Sequence, residues 1–146
     1  MNPRASCLAC CALVASCASY EPPPGASVHI ELAGPVTTVF VSDGRNCSSR
    51  RPVPRAQWQD LQVDANKTVA VELWFRHEFS NGSTWCQGAL ELTPAYGARY
   101  RLTFVPSFKD QFLSGCGIRT ETSDSSVLGR ESPAVPRQVA VLSCAN

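Results

Sequence analysis

The chain has 146 residues, 13 basic and 12 acidic side chains, and a formal net charge of +1. This length suits a single domain, and the balanced charge argues against a nucleic-acid-binding protein, which would carry a basic excess. Eight cysteines in a chain of this size favour an exported protein that forms disulfides.

The first 16 residues have the pattern of a secretory signal. Arg4 precedes an apolar run from Ala5 to Val14, and small residues follow the run. The run is much shorter than the roughly 20 residues that a membrane-spanning helix needs. We therefore predict that residues 1–16 are a signal peptide, which is removed on export.

The end of this segment, Val14-Ala15-Ser16-Cys17, resembles the lipobox of bacterial lipoproteins. The resemblance implies that Cys17 is acylated and becomes the first residue of the mature chain. In enterobacterial members an Asp at the next position favours retention at the inner membrane, and here that residue is Ala18. The resemblance therefore implies an outer-membrane protein that is lipid-anchored and faces the periplasm. Cleavage by an ordinary signal peptidase, giving a soluble periplasmic or secreted protein, is the alternative.

Residues 17–25 separate this lipidation site from the rest of the chain. They include Pro22-Pro23-Pro24-Gly25, and proline-rich segments are extended and semi-rigid. We predict that they are a tether and that residues 26–146 form one domain.

Four cysteines fall in the predicted domain: Cys47, Cys86, Cys116 and Cys144. An even number in an exported chain predicts two disulfides. Of three possible pairings we favour Cys47–Cys86 with Cys116–Cys144. If strands at 116–122 and 137–144 are antiparallel neighbours, Cys116 lies opposite Cys144, close to disulfide reach. A zinc site is the alternative, but it lacks the usual C-x-x-C pair.

Alternating apolar residues and turn signals predict short strands along the whole domain. Residues 45–60 are predicted to be irregular, with a short helical turn around Gln57–Leu61. Strands are predicted near 28–32, 39–41, 69–79, 85–92, 100–104, 116–122 and 139–142. The fold class that follows is all-β: a disulfide-stabilised antiparallel β-sandwich of about seven strands, immunoglobulin-like or transthyretin-like. The stretch 92–102 resembles a turn-into-strand motif of such sandwiches, in which a tyrosine, here Tyr100, opens a strand.

Little in the sequence indicates catalysis. His29 and His77 are the two histidines, and no nucleophile elbow, zinc-binding helix or phosphate loop accompanies them. We therefore expect a non-enzymatic protein with no catalytic residue, metal or cofactor. A small exported hydrolase that uses His77 is an alternative.

Two features are candidates for binding. The first is an arginine loop, because guanidinium groups bind phosphate and carboxylate in pairs of hydrogen bonds. The second is Trp74, which is predicted to lie on the strand face opposite Leu73 and Phe75 and to be half exposed. The arginines of the loop are Arg45, Arg50, Arg51 and Arg55.

The predicted function is that of a lipid-anchored envelope protein that acts as a binding or assembly module in the periplasm. Its partners would be the membrane, through the anchor, and an envelope protein, but no nucleic acid. The alternative is a binder of envelope glycan or lipid that uses the Arg45–Arg55 loop and an exposed tryptophan.

Overall fold

A computed structural model describes residues 18–123 and the backbone of residues 137 and 138. Nearly all regular structure in this part of the chain is β-strand, which confirms the predicted all-β sandwich. The strands are β1 Val28–Ala33, β2 Thr38–Asp43, β3 Arg51–Pro52, β4 Leu61–Val63, β5 Val69–Phe79, β6 Gly82–Leu92, β7 Arg99–Lys109, β8 Phe112–Ser123 and β9 Arg137–Gln138.

The strands form two packed sheets. One sheet has the order β4-β1-β7-β8, and the other has the order β3-β2-β5-β6-β9. Most neighbours are antiparallel, as predicted. The exception is the pair β1–β7, which is parallel from His29 opposite Arg99 to Ala33 opposite Thr103.

The segment predicted to be irregular is more ordered than its sequence indicates. It contains short 3-10 turns at Cys47–Ser49 and Arg55–Gln57, and the strand β3. The helical turn predicted around Gln57–Leu61 is wrong by a few residues, because β4 begins at Leu61 and pairs with β1. Within residues 18–123 and 137–138, no helix is long and apolar enough to cross a membrane.

Side-chain alternation along the strands builds the core between the sheets. Val71 and Leu73 of β5 are buried against Leu102 and Phe104 of β7 in the opposite sheet. Burial of each large apolar side chain stabilises the fold by about 1.5–3 kcal/mol. The sheets approach closely at Gly88, where a Cβ atom would lie 2.9 Å from Cγ1 of Ile118.

Two hairpins extend past the shorter strands beside them. β2 stops pairing with β5 at Trp74, and β1 stops pairing with β7 at Thr103. Residues 75–86 of β5–β6 and residues 104–118 of β7–β8 therefore continue as two stacked ribbons, which we call the arm. The five β5 residues beyond Trp74 extend the arm roughly 16 Å past the end of β2.

A disulfide joins the two ribbons of the arm. Cys86 of β6 and Cys116 of β8 face each other across the sandwich, with their Cα atoms 6.0 Å apart. The favoured pairing of Cys47 with Cys86 and of Cys116 with Cys144 is therefore wrong. It assumed that the last strand pairs with β8, whereas β9 pairs with β6 in the other sheet. Cys47 is also disulfide-bonded, and Cys144 lies outside the described residues.

The Cys86–Cys116 bridge predicts a specific stability loss. Replacing both cysteines by Ala should lower the free energy of unfolding by about 3–4 kcal/mol, because the bridge closes a loop of 30 residues in the unfolded chain. Urea unfolding followed by circular dichroism measures the change.

A non-reduced tryptic map provides the control for connectivity. It should yield peptide 77–99 joined to peptide 110–119. Peptide 77–99 joined to peptide 46–50 would mean that Cys86 pairs with Cys47, which contradicts the structure.

Candidate functional site

The end of the arm carries exposed phenylalanines. Phe79 lies at the tip of the β5–β6 hairpin, and Phe108 and Phe112 lie at the tip of β7–β8. Their exposed fractions are 44%, 49% and 69%. We call these three residues the aromatic tip. Large apolar side chains grouped at one exposed site commonly mark an interaction surface.

The aromatic tip rests on a layer of ring contacts between the hairpins. The ring of His77 meets that of Phe108 edge-on at 5.2 Å, and Phe75 lies 6.5 Å from Phe108. Phe75 also packs on Phe104, at 6.3 Å. Edge-to-face pairs of this kind stabilise a structure beyond their area burial, and they leave few free rotamers. The tip is therefore held by side-chain packing on one flank and by the Cys86–Cys116 disulfide on the other.

Tight turns explain why the phenylalanines are exposed. Phe79 pairs with Gly82 and Lys109 pairs with Phe112, so each hairpin closes through two residues and no long loop folds over the end. At the second turn, Asp110 and Gln111 have φ values of 48° and 72°. Both residues are left-handed, the pattern of a type I′ turn, which matches the twist of the strands.

The opposite end of the sandwich receives the N-terminal segment. The Tyr20 backbone N–H donates to the Pro52 carbonyl at 2.8 Å, and its hydroxyl donates to the Gln62 carbonyl at 2.8 Å. Burial, with the charges of Asp64 and Asp43, raises the pKa of Tyr20 to about 12. The hydroxyl is therefore protonated and able to donate at any physiological pH. Tyr20 lies within residues 17–25, the predicted tether, so this part of the segment packs on the domain.

Tyr20 and the aromatic tip lie at opposite ends of β5. Tyr20 and Val69, the first residue of β5, line the same surface depression. Phe79 is the last residue of β5, roughly 33 Å further along the strand. The chain therefore enters the domain at the end away from the aromatic tip.

The predicted arginine loop is not a cluster of open guanidinium groups. Arg50 is largely buried and makes two hydrogen bonds, each 3.1 Å long, to the carboxylate of Glu72. Its guanidinium carbon also lies 3.5 Å from the centre of the Phe40 ring. Arg50 therefore stabilises the outer face of the β2–β5 sheet.

The other three arginines point to separate places. Arg45 pairs with Glu91 at 3.1 Å, and Arg51 donates to the Ser48 carbonyl at 3.0 Å. The guanidinium of Arg55 lies 5.3 Å from the Trp58 ring. These contacts are exposed and weak. They lie apart from one another, so the three arginines do not form one site.

Trp74 is half-buried, as predicted, but its polar atom is already engaged. Its indole N–H donates to Glu72 at 3.3 Å, beside the Arg50 contacts. Gln87 also donates to Glu72, at 3.2 Å. The better exposed tryptophan is Trp85 on β6, with 51% of its surface accessible. The sequence singled out Trp74 and not Trp85 as the binding candidate, although the period-two pattern places both on the same outer face.

The two histidines have different surroundings. Nδ1 of His29 donates to Asp60 at 2.5 Å on the outer face of the other sheet. Hydrogen bonds from Gln62 and His29 lower the pKa of Asp60, so this carboxylate stays ionised. His77 instead lies among phenylalanine rings beneath the aromatic tip.

The chain matched no protein-family model, no curated protein and no solved structure. The arm and its surfaces are therefore interpreted from their geometry.

The buried Glu72 carboxylate predicts unequal effects within the arginine loop. Arg50→Ala should lower the free energy of unfolding by about 3 kcal/mol, because it leaves a buried carboxylate without its cation. Arg51→Ala, the matched control, should change it by less than about 0.5 kcal/mol. Chemical denaturation measures both, and equal effects of the two substitutions would contradict the structural role of Arg50.

Proposed function

We propose that the protein is a lipid-anchored, non-enzymatic binding module of the bacterial cell envelope, and that it contacts a partner protein through the aromatic tip. The observation that carries the proposal is that the N-terminal segment and the aromatic tip lie at opposite ends of the domain. The chain enters at Tyr20, and the exposed phenylalanines lie at the other end of β5.

The anchor follows from the lipobox-like segment and from what comes after it. Only Ala18 and Ser19 separate Cys17 from Tyr20, and the three residue steps between them span at most about 11 Å when extended. An acyl group on Cys17 would therefore hold the Tyr20 end of the domain close to the membrane surface. The arm would then be directed away from that end, into the periplasm.

The disulfides support an oxidising compartment. Disulfides such as Cys86–Cys116, and the one that Cys47 forms, persist in periplasmic proteins and are rare in cytosolic ones. Ala18 in place of Asp supports the outer membrane as the destination. If Cys17 carries the lipid, Cys144 is the cysteine of the mature chain that is left to pair with Cys47.

A protein partner fits the chemistry of the aromatic tip. Phenylalanine has no polar atom for a ligand to hydrogen-bond, so its contribution to binding comes from apolar contact. Aromatic side chains on a rigid support, with polar residues at the rim, are typical of the energetically important centre of protein interfaces. Lys109 and Asp110 beside the tip are such rim residues.

The anchor predicts the mass of the native protein. When the protein is purified from the membranes of its host, the chain should begin at Cys17, carry acyl groups, and lose two hydrogens for each of two disulfides. Cys17→Ser should release the protein from the membrane fraction. An unlipidated chain that begins near Ala18 would contradict the anchor and leave a soluble exported protein.

The aromatic tip predicts a position-specific contact. A photo-crosslinking amino acid at Phe112 should yield one discrete protein adduct in intact cells, whereas the same group at Arg119, which is exposed on the same strand, should not. Phe108→Ala should reduce the adduct at least about tenfold, because central aromatic contacts dominate interface energies. Equal adducts at both positions would contradict a partner site at the tip.

A further inference from the structure

The outer face of the arm carries a second surface, which differs chemically from the aromatic tip. In the β5–β6 register Arg76 lies opposite Trp85, and Glu78 lies opposite Ser83. Alternation places Arg76, Glu78 and Trp85 on the face away from the core. This surface is part of the ribbon that extends beyond β2.

Trp85 is presented there as a braced ring. Trp74 meets it nearly perpendicular, with ring centres 6.3 Å apart and an interplanar angle of 78°. Half of the Trp85 surface remains accessible. Because Trp74 is itself held by its hydrogen bond to Glu72, this ring contact restricts the orientation of the Trp85 ring.

A charged pair lies against the exposed ring. The guanidinium carbon of Arg76 lies over the Trp85 ring, 5.1 Å from its centre, and Nε of Arg76 donates to Glu78 at 3.1 Å. A guanidinium has five N–H donors and a carboxylate accepts several hydrogen bonds, so this one contact leaves hydrogen-bonding capacity on both groups. Donors and acceptors therefore lie next to the part of the indole that remains accessible.

A pyranose ring has the complementary chemistry. Its C–H face is apolar and packs on an indole, while its neighbouring hydroxyls each donate and accept hydrogen bonds. A phosphate group fits less well, because Glu78 would repel it and would compete for Arg76. We propose that Trp85, Arg76 and Glu78 form a saccharide-binding subsite for an uncharged sugar unit of an envelope glycan.

The saccharide subsite is tested with the full mature protein and defined trisaccharides. Chitotriose, cellotriose and maltotriose are the probes, and ligand-observed saturation-transfer NMR is the readout because it does not depend on tryptophan fluorescence. We expect saturable binding of at least one probe, with a dissociation constant on the order of 1 mM.

Variants assign the binding to this surface. Trp85→Ala should weaken it at least about tenfold, and Trp85→Phe should retain part of it because an aromatic face remains. Glu78→Ala should weaken it several-fold, whereas Phe112→Ala, at the aromatic tip, should leave it unchanged. Circular dichroism checks that each variant is folded.

Two results would overturn the saccharide subsite: no saturable binding of any probe up to about 20 mM, or equal affinity in Trp85→Ala and the unaltered protein. Neither result bears on the protein contact at the aromatic tip, whose test uses Phe112 and Phe108. In the second case, a loss of binding in Phe112→Ala would move the sugar site to the tip.

Discussion

The arm depends on the covalent link between Cys86 and Cys116. A two-stranded ribbon has marginal stability by itself in water, and beyond Trp74 and Thr103 each hairpin of the arm is a two-stranded ribbon. The disulfide holds one ribbon against the other, and the phenylalanine and histidine rings fill the space between them on the other flank. Conditions that keep this disulfide oxidised are thus also needed for presenting the arm's surfaces.

The arm offers two separate surfaces. Period-two alternation sends Phe79 inward to the end of the core and Trp85 outward to the opposite face. The first surface consists of hydrocarbon, and the second combines an indole with a charged pair. Because the backbone between them is fixed by the complete β5–β6 register, a ligand on one surface does not need to disturb the other.

Local pattern predicted the strands but not the contacts between them. The alternation from Val69 to Phe79 indicated β5 correctly, since burial of one face is encoded every second residue. Contacts between the two sheets could not be predicted from the sequence, because they depend on how the sheets stack. Cys86 and Cys116 meet because their strands face each other across the sandwich. Phe112 was missed because the turn before it carries no glycine signal. Asp110 and Gln111 form this turn instead. The tight turn that forms there lets the alternation of Leu102 and Phe104 continue to Phe108 at the end of β7.

Arg50 shows why residue type alone is a poor guide to a binding site. Within its loop it is indistinguishable from Arg51, yet Arg50 reaches a carboxylate that is 1% exposed while Arg51 contacts backbone carbonyls of its own turn. The difference originates at Glu72, a charged residue placed beside Trp74 on the outer face of β5. A carboxylate buried there requires a cation, and Arg50 is the guanidinium that the loop brings to it. Charge reversal at Arg50 would therefore disturb folding before it reported on any ligand, whereas substitutions at Arg76 and Trp85 alter exposed side chains that the core does not need.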